Sequence, residues 1–297
     1  SKSTGIGMVG FADALAELQP NVLVVLGDRF EVLAAAFAAL VARIPVAHIH
    51  GGEVTQGAFD EAIRHSVTKM AYLHFTAAEA YRKRVIQLGE NPKHVFNVGG
   101  MGVDTITKTN LLYKKELEKK LGFKFGSKNL LATFHSVTLE HDTSETQISE
   151  LLLALQSLED TRLIFTAPNA DTDGRVVKMM IDNFCENHSD KAIVFTSMGR
   201  VNYLSSLQFV DAVIGNSSSG LAEAPSFKIG TINIGDRQKG RLKADSVINC
   251  EPTRESIEAA LAQLYSTDFQ KSLHQVTNPY GEGGASETVV STLKNKA

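Results

Sequence analysis

Asn216, Ser217 and Ser218 stand between an apolar, β-branched run that ends in Gly215 and a helical pattern that begins at Leu221. A strand, a tight turn and a helix start in that order leave backbone N–H groups without partners and with partial positive charge. Anions settle there, phosphates above all. Ser217 and Ser218 would add hydroxyl donors, and Gly215 and Gly220 would let the backbone approach a ligand closely. Taken alone, the segment is equally explained by a serine N-cap with no ligand.

A second group of residues offers proton chemistry. Asp28 follows the apolar run 22–26, His50 and Glu53 follow the run 45–49 within His-Ile-His-Gly-Gly-Glu, and Asp60 opens the next helical stretch. Each has a structural alternative. Asp28 can cap a helix, and Asp60 and Arg64 are spaced to pair on a helix surface. The histidines lack the i, i+4 helical spacing of a zinc site, so no metal is expected. Carboxylates and imidazoles at successive run ends nonetheless gather titratable groups at one rim, as general acid–base chemistry requires.

Further along, His135 closes the run 130–134, a turn-rich Pro-Asn-Ala-Asp-Thr-Asp-Gly follows 163–166, and Gly-Asp-Arg-Gln-Lys-Gly-Arg follows 231–234. The cations of that last segment could neutralise a diphosphate or form a solvated basic loop. Glu223, in the serine-headed helix, could accept both hydroxyls of a ribose or be an ordinary surface glutamate. No Gly-x-Gly-x-x-Gly follows a strand and no Walker motif is present, which disfavours dinucleotide oxidoreductases and P-loop enzymes. An anion site beside a ribose acceptor suggests a nucleotide diphosphate whose other half reaches the acid–base rim.

The elements that must position these groups alternate. Strands are expected at 22–26, 45–49, 72–76 and 95–98, with helices at 31–42, 59–70 and 77–88. The charged, glycine-punctuated stretch 114–126 reads as the approach to a domain boundary. The rhythm restarts with strands at 129–134, 162–166, 192–196, 212–214 and 231–234, helices at 145–158 and 174–187, and closing helices at 255–265 and 287–294. Short apolar strands alternating with helices signify βαβ units and parallel sheets. The expected fold is α/β, with two Rossmann-like doubly wound domains facing each other across a cleft, divided as 1–122 and 123–297, the last helix able to pack back on the first domain. Ligands of such sheets bind beyond the carboxyl ends of strands, where every candidate residue falls.

The 297 residues, 43% hydrophobic and 21% charged, can bury a sizeable core, and the net charge of −3 argues against a nucleic-acid binder. Cys185 and Cys250 have neither metal nor disulfide spacing, and no apolar run approaches a bilayer span, so a cytoplasmic protein without membrane attachment is expected.

Together, Gly27-Asp28-Arg29-Phe30-Glu31, His48-Ile49-His50-Gly51-Gly52-Glu53, 63–69, Asn169-Ala170-Asp171, Gly215-Asn216-Ser217-Ser218-Ser219-Gly220 and Ile234-Gly235-Asp236-Arg237-Gln238-Lys239-Gly240-Arg241 resemble the hydrolysing UDP-N-acetylglucosamine 2-epimerases, in order and over essentially the whole chain. The resemblance is greatest to the bacterial enzymes that make N-acetylmannosamine for sialic acid. It implies a glycosyltransferase-B type fold, a UDP-sugar substrate, no cofactor and no metal. It also implies a reaction in which C2 is deprotonated, UDP leaves to give a 2-acetamidoglucal, and water adds to yield N-acetylmannosamine. Asp28, His50, Glu53, Asp60 and His135 would then fall on catalytic positions, and Arg29, Asn169, Asp171, Asn216, Ser217, Ser218, Glu223 and Arg237 on UDP contacts. A homodimer or homotetramer is implied as well.

Two departures bear on this. Some branches carry glutamate where this chain has His50. The family also opens with a strand and a Gly-Ser/Thr-Arg-Ala motif, on the order of 70 residues that this sequence does not contain, so the natural protein is expected to be longer. Non-hydrolysing epimerases carry a His-Arg-Arg-Glu-Asn-like segment where this chain has His135-Ser136-Val137-Thr138-Leu139, which favours hydrolysis. A related UDP-2,4-diacetamido sugar stays open as substrate, and a non-catalytic nucleotide-sugar binder and a glycosyltransferase are the readings from other classes.

Overall fold

The computed structural model describes residues 1–54, 60–136, 143–168 and 174–296. In chain order the first elements are α1 (Lys2–Leu18), β1 (Leu23–Leu26), α2 (Phe30–Val41), β2 (Val46–Ile49), α3 (Asp60–Met70), β3 (Leu73–Thr76), α4 (Glu79–Gln87), β4 (Val95–Asn97), α5 (Met101–Lys108) and α6 (Lys114–Leu121). They are followed by β5 (Lys128–Thr133), α7 (Ser144–Gln156), β6 (Thr161–Thr166), α8 (Gly174–Asn187), β7 (Ala192–Phe195), α9 (Arg200–Ser206), β8 (Ala212–Gly215) and α10 (Ser219–Ala222). The chain ends with β9 (Gly230–Ile234), β10 (Val247–Cys250), α11 (Arg254–Leu264), α12 (Thr267–Ser272) and α13 (Ala285–Lys296).

These form two compact units, one of Ser1–Thr107 with Tyr280–Ala297 and one of Lys108–Pro279. In the first, four parallel strands run in the order β1-β2-β3-β4. Both faces of β2 and β3 are buried, as the unbroken apolar runs of a helix-covered parallel sheet require. The alanine-rich face of α2 lets it lie close to the sheet, with Ala36 and Ala39 inaccessible beside Leu15 of α1 and Val67 of α3. The closing helix α13 is anchored here by the Asp104 carboxylate. Its oxygens accept from the backbone N–H groups of Gly284 at 2.7 Å, Ala285 at 3.1 Å and Ser286 at 3.3 Å, and from the Ser286 hydroxyl at 2.6 Å. A carboxylate from α5 thus caps the helix that the glycine-rich segment 281–284 introduces.

In the second unit six parallel strands run in the order β10-β9-β8-β5-β6-β7. The chain leaves β5 towards β6 on one side and later returns to β8 on the other, so the carboxyl ends of β5 and β8 frame a topological switch point. Leu130, Ala132, Leu163, Ile214 and Ile232 pack from this sheet against Ile148, Leu151 and Leu155 of α7 and Ile257 and Leu264 of α11 to make the core. Thr253 caps α11 by accepting from the Ser256 N–H, and Arg254 pairs with Glu258 one turn on at 2.7 Å.

Three local details come from the structure. The stretch 114–120 forms the helix α6. Leu117 and Leu121 are buried one turn apart, Glu116 and Lys120 pair across the exposed side at 3.2 Å, and Gly122 ends the helix in the left-handed region. The helix after the serine segment is a single turn, because Pro225 supplies no N–H and the chain tightens into a 3-10 turn at Ala224–Phe227. Helix α1 and strand β10 were not expected at all.

Candidate active site

A cavity of about 350 Å³ opens at the switch point of the second sheet. Thr133 and His135 enter it from the end of β5, Thr166 and Ala167 from the end of β6, and Ser217, Ser219 and Glu223 from the segment after β8. Ser197, Met198 and Gly199, from the segment between β7 and α9, and Arg200 and Tyr203 of α9 close it. The strand ends are drawn together by a bond between the Thr133 and Thr166 hydroxyls at 2.6 Å. At Gly215 (φ +131°) a Cβ would run into the Thr133 carbonyl, so only glycine lets β8 end this close to β5.

His135, Ser217 and Glu223 are therefore brought to one cavity. Asn216 is buried and its carboxamide is committed to the His135 backbone, accepting from the N–H at 2.7 Å and donating to the carbonyl at 2.8 Å. Its own carbonyl accepts from Arg237 Nη1 at 2.9 Å and Gln238 Nε2 at 2.8 Å. The loop after β9 thereby braces the loop that holds His135. Ser218 stands at the N-cap of α10, where its carbonyl accepts from Leu221 and Ala222, both at 3.0 Å. A one-turn helix sums few peptide dipoles, so hydroxyls and Arg200, rather than a macrodipole, are what this cavity offers an anion. Asn169 and Asp171 lie outside the described residues.

Two wall residues were not singled out by sequence reasoning. Tyr203 and Ser219 have hydroxyl oxygens 2.5 Å apart. Burial pushes the Glu223 carboxyl above the usual carboxylate range, opposed in part by the nearby Ser219 hydroxyl.

The first unit carries the other candidates. Arg64 is 2% exposed, and its Nη2 contacts the Asp28 carboxylate while its Nη1 donates to the Glu53 carbonyl at 2.8 Å. One guanidinium thus joins the loop after β1 to the loop after β2. In the second of these, His50 adopts a left-handed φ of +67°, a conformation that is unfavourable for a side-chain-bearing residue. Its Nδ1 lies 2.9 Å from Glu53 Oε1 and its Nε2 accepts from the Met101 N–H at 3.3 Å. These contacts fix the imidazole with its proton on Nδ1, directed at the carboxylate. Gly52 (φ +78°) sits where a Cβ would lie 2.5 Å from the Tyr81 carbonyl, so the diglycine is required by packing as well as by conformation.

Asp60 is the first residue of α3, and loss of hydration together with the charge of Asp28 raises its pKa, while Arg64 and Arg29 oppose the rise. Asp28 contacts the Arg64 guanidinium, and its charge is one of the causes that raise the Asp60 carboxyl. Arg29 itself is exposed and pairs with Glu31 at 3.3 Å. Beneath the rim, buried His48 donates from Nε2 to the Gly27 carbonyl at 2.8 Å, holding the turn that presents Asp28; burial drives its pKa down to about 4. Sequence reasoning passed over His48 because it faces inward from the middle of β2.

Among the described residues no group of three or more His, Cys, Asp or Glu side chains is arranged to hold a metal ion. No helix among them is long and apolar enough to cross a membrane.

Comparison with known proteins shows the family. The family model described as UDP-N-acetylglucosamine 2-epimerase matches residues 1–294. A Campylobacter jejuni GDP/UDP-N,N'-diacetylbacillosamine 2-epimerase (hydrolyzing) is 42% identical over 271 residues, which is 91% of this chain and 70% of that protein. The Escherichia coli polysialic acid biosynthesis protein P7 is 38% identical over 294 residues, 99% of this chain and 74% of its own length. Among solved structures, the UDP-GlcNAc 2-epimerase from Neisseria meningitidis bound to UDP-GlcNAc aligns with a TM-score of 0.85 at 18% identity, over 99% of this chain and 81% of that one. The expected α/β architecture of two Rossmann-like units, of the glycosyltransferase-B type, is the fold they share. With that fold and a family match running almost end to end, this chain belongs to the UDP-N-acetylglucosamine 2-epimerase family, the UDP-sugar 2-epimerases.

Proposed function

We propose that this protein is a hydrolysing 2-epimerase of a UDP-2-acetamido sugar. One carboxylate of the Asp28–Asp60 pair takes the C2 proton as the C1–O bond to the diphosphate breaks. UDP leaves, a 2-acetamidoglycal remains, and water then adds its hydroxyl at C1 and a proton at the opposite face of C2. The free C2 epimer and UDP are the products, with one water consumed. Asp28 is the base, aimed by Arg64; Asp60, whose pKa is raised by burial and by the charge of Asp28, acts as the acid. The His50–Glu53 couple stores and returns a proton in the same unit. His135, Ser217, Ser218 and Arg237 serve the departing diphosphate and Glu223 the ribose.

The observation that carries this reading is the buried Arg64 bridging the loops that present Asp28, His50 and Glu53. A nucleotide-sugar binder has no use for coupled acids and bases held in this way. For the sugar, the 42% identical relative is named a GDP/UDP-N,N'-diacetylbacillosamine 2-epimerase, so a UDP-2,4-diacetamido sugar is the first substrate. UDP-N-acetylglucosamine, giving N-acetylmannosamine, is the second, supported by the relative named for polysialic acid biosynthesis. A reducing compartment, the cytoplasm, suits the two free thiols of Cys185 and Cys250.

The test is turnover of UDP-N,N'-diacetylbacillosamine and UDP-N-acetylglucosamine in heavy water, followed by proton NMR. Release of UDP together with a free, C2-deuterated epimer of either sugar is expected, and none in Asp28→Asn. An intact UDP-linked epimer would show the non-hydrolysing reaction instead. Release of UDP with an undeuterated sugar would rule out epimerase chemistry.

A further inference from the structure

Both ring nitrogens of His50 are engaged within the first unit. Nε2 accepts from the Met101 N–H at 3.3 Å, and Nδ1 stands 2.9 Å from Glu53 Oε1. Met101 is the first residue of α5, and the leading N–H groups of a helix find no partner inside it. Nε2 supplies the acceptor for one of them. A ring nitrogen that accepts carries no proton, so the proton of the neutral imidazole sits on Nδ1 and faces the carboxylate. The backbone is held as well. The His50 N–H donates to the Phe75 carbonyl at 2.8 Å, one rung beyond the β2–β3 ladder, before the chain turns through a φ of +67°. Glycine or asparagine would adopt that left-handed conformation more readily than histidine.

We infer that His50 is a positioning residue, which aims the Glu53 carboxylate and exchanges no proton with the sugar itself, an inference that rests on the proposed acid–base reading of this rim. The proton handled by the His50–Glu53 couple is then carried at the Glu53 end. A proton taken up at Nε2 would set N–H against the Met101 N–H. A proton given to the sugar from Nδ1 would require the ring to leave Glu53. Arg64 Nη1 meanwhile donates to the Glu53 carbonyl at 2.8 Å, so α3 fixes the backbone of Glu53 while His50 fixes its side chain. A glutamate has three rotatable bonds, and holding them beforehand spares that ordering when the sugar arrives. The strained backbone of His50 is kept because its ring has two partners to hold.

His50→Asn and His50→Ala separate an aiming role from a proton carrier. The asparagine amide places an N–H donor near the position of Nδ1, tolerates a left-handed backbone, and cannot shuttle a proton. Kinetics on the sugar that the wild type turns over should show kcat lowered by about a hundredfold in His50→Ala, the scale of a misplaced catalytic group. In His50→Asn the loss should be only about three- to tenfold, the range of one net hydrogen bond. Nitrogen-15 NMR of histidine-labelled protein, with the His50 signals identified by their loss in His50→Asn, should show the ring proton on Nδ1. That spectrum decides the matter where His50→Ala folds poorly. Equal losses of kcat in the two variants, or a ring proton on Nε2, overturn the inference. If the wild type releases a C2-deuterated sugar while the variants lose kcat equally, only the aiming role falls. If the wild type releases no C2-deuterated sugar, the acid–base reading falls and takes the aiming role with it.

Discussion

The carboxamide of Asn216 closes a two-bond ring on the backbone of His135, accepting from its N–H at 2.7 Å and donating to its carbonyl at 2.8 Å. In effect the end of β8 gives the end of β5 one further rung of sheet made from a side chain. The backbone of His135 is thereby fixed where the residue lines the cavity. Asn216→Asp keeps the acceptor but sets a carboxylate oxygen against the His135 carbonyl. It should lower kcat by about ten- to a hundredfold, equivalent to about 1.4–2.7 kcal/mol. Steady-state kinetics on the substrate found by NMR checks this. An unchanged kcat would mean that His135 needs no such brace.

Arg64 should matter more than any exposed cation. Arg64→Met leaves the Asp28 carboxylate without the guanidinium and the Glu53 carbonyl without its donor. Because Asp28 keeps some contact with solvent, with a side chain 24% exposed, the loss is put at about 2–3 kcal/mol of stability, below the range for a fully buried pair. Turnover should fall by at least about a hundredfold, since the base loses both charge partner and aim. Arg64→Lys restores charge but not the two-pronged reach, so it should recover stability better than kcat. Chemical denaturation and kinetics on the same samples read both effects.

The His48 imidazole is neutral in the fold, with its pKa driven down to about 4 by burial, against about 6.5 in the unfolded chain. Between these values the unfolded state binds the extra proton, so stability rises with pH. His48 thus contributes fully above about pH 6.5, and that contribution is lost as pH falls towards 4, by up to about 3 kcal/mol. His48→Gln removes the titrating group, so the difference between wild type and variant should narrow steadily from pH 7 to pH 4.5. Denaturation midpoints across that range measure it; a constant difference would show that His48 does not titrate on unfolding.

Asp104 is 3% exposed and serves three backbone N–H groups at the start of α13. Asp104→Ala strands those donors in a buried place and should cost about 2–4 kcal/mol, more than an exposed N-cap. Asp104→Asn keeps acceptor oxygen but places an amide against N–H groups, and should fall between. Thermal melts rank the two. In hydrogen exchange, protection of α13 should be lost before that of the second unit.

The sequence by itself determined the α/β alternation and the nature of the chemistry. Apolar runs such as 46–49 and 73–76 can form only buried parallel strands, and the polar residues that follow them must then lie at the sheet's carboxyl rim. That logic places Asp28, His50, Glu53, His135 and Ser217 at strand ends. Local sequence could not distinguish a ligand contact from a brace, because the difference depends on partners far away in the chain. Asn216 looked like part of an anion loop, but its carboxamide reaches a backbone 81 residues earlier. Arg64 looked like a surface partner of Asp60, but it turns inward to bridge Asp28 and Glu53. The short helix at Ser219 was decided by Pro225, and the pairing of Tyr203 with Ser219 by the approach of α9 to the end of β8. Strand periodicity is a local property of the chain and is written in it. Which hydroxyl or carboxylate meets which partner is set by how strands 80 residues apart are ordered in a sheet, and only the tertiary structure decides that.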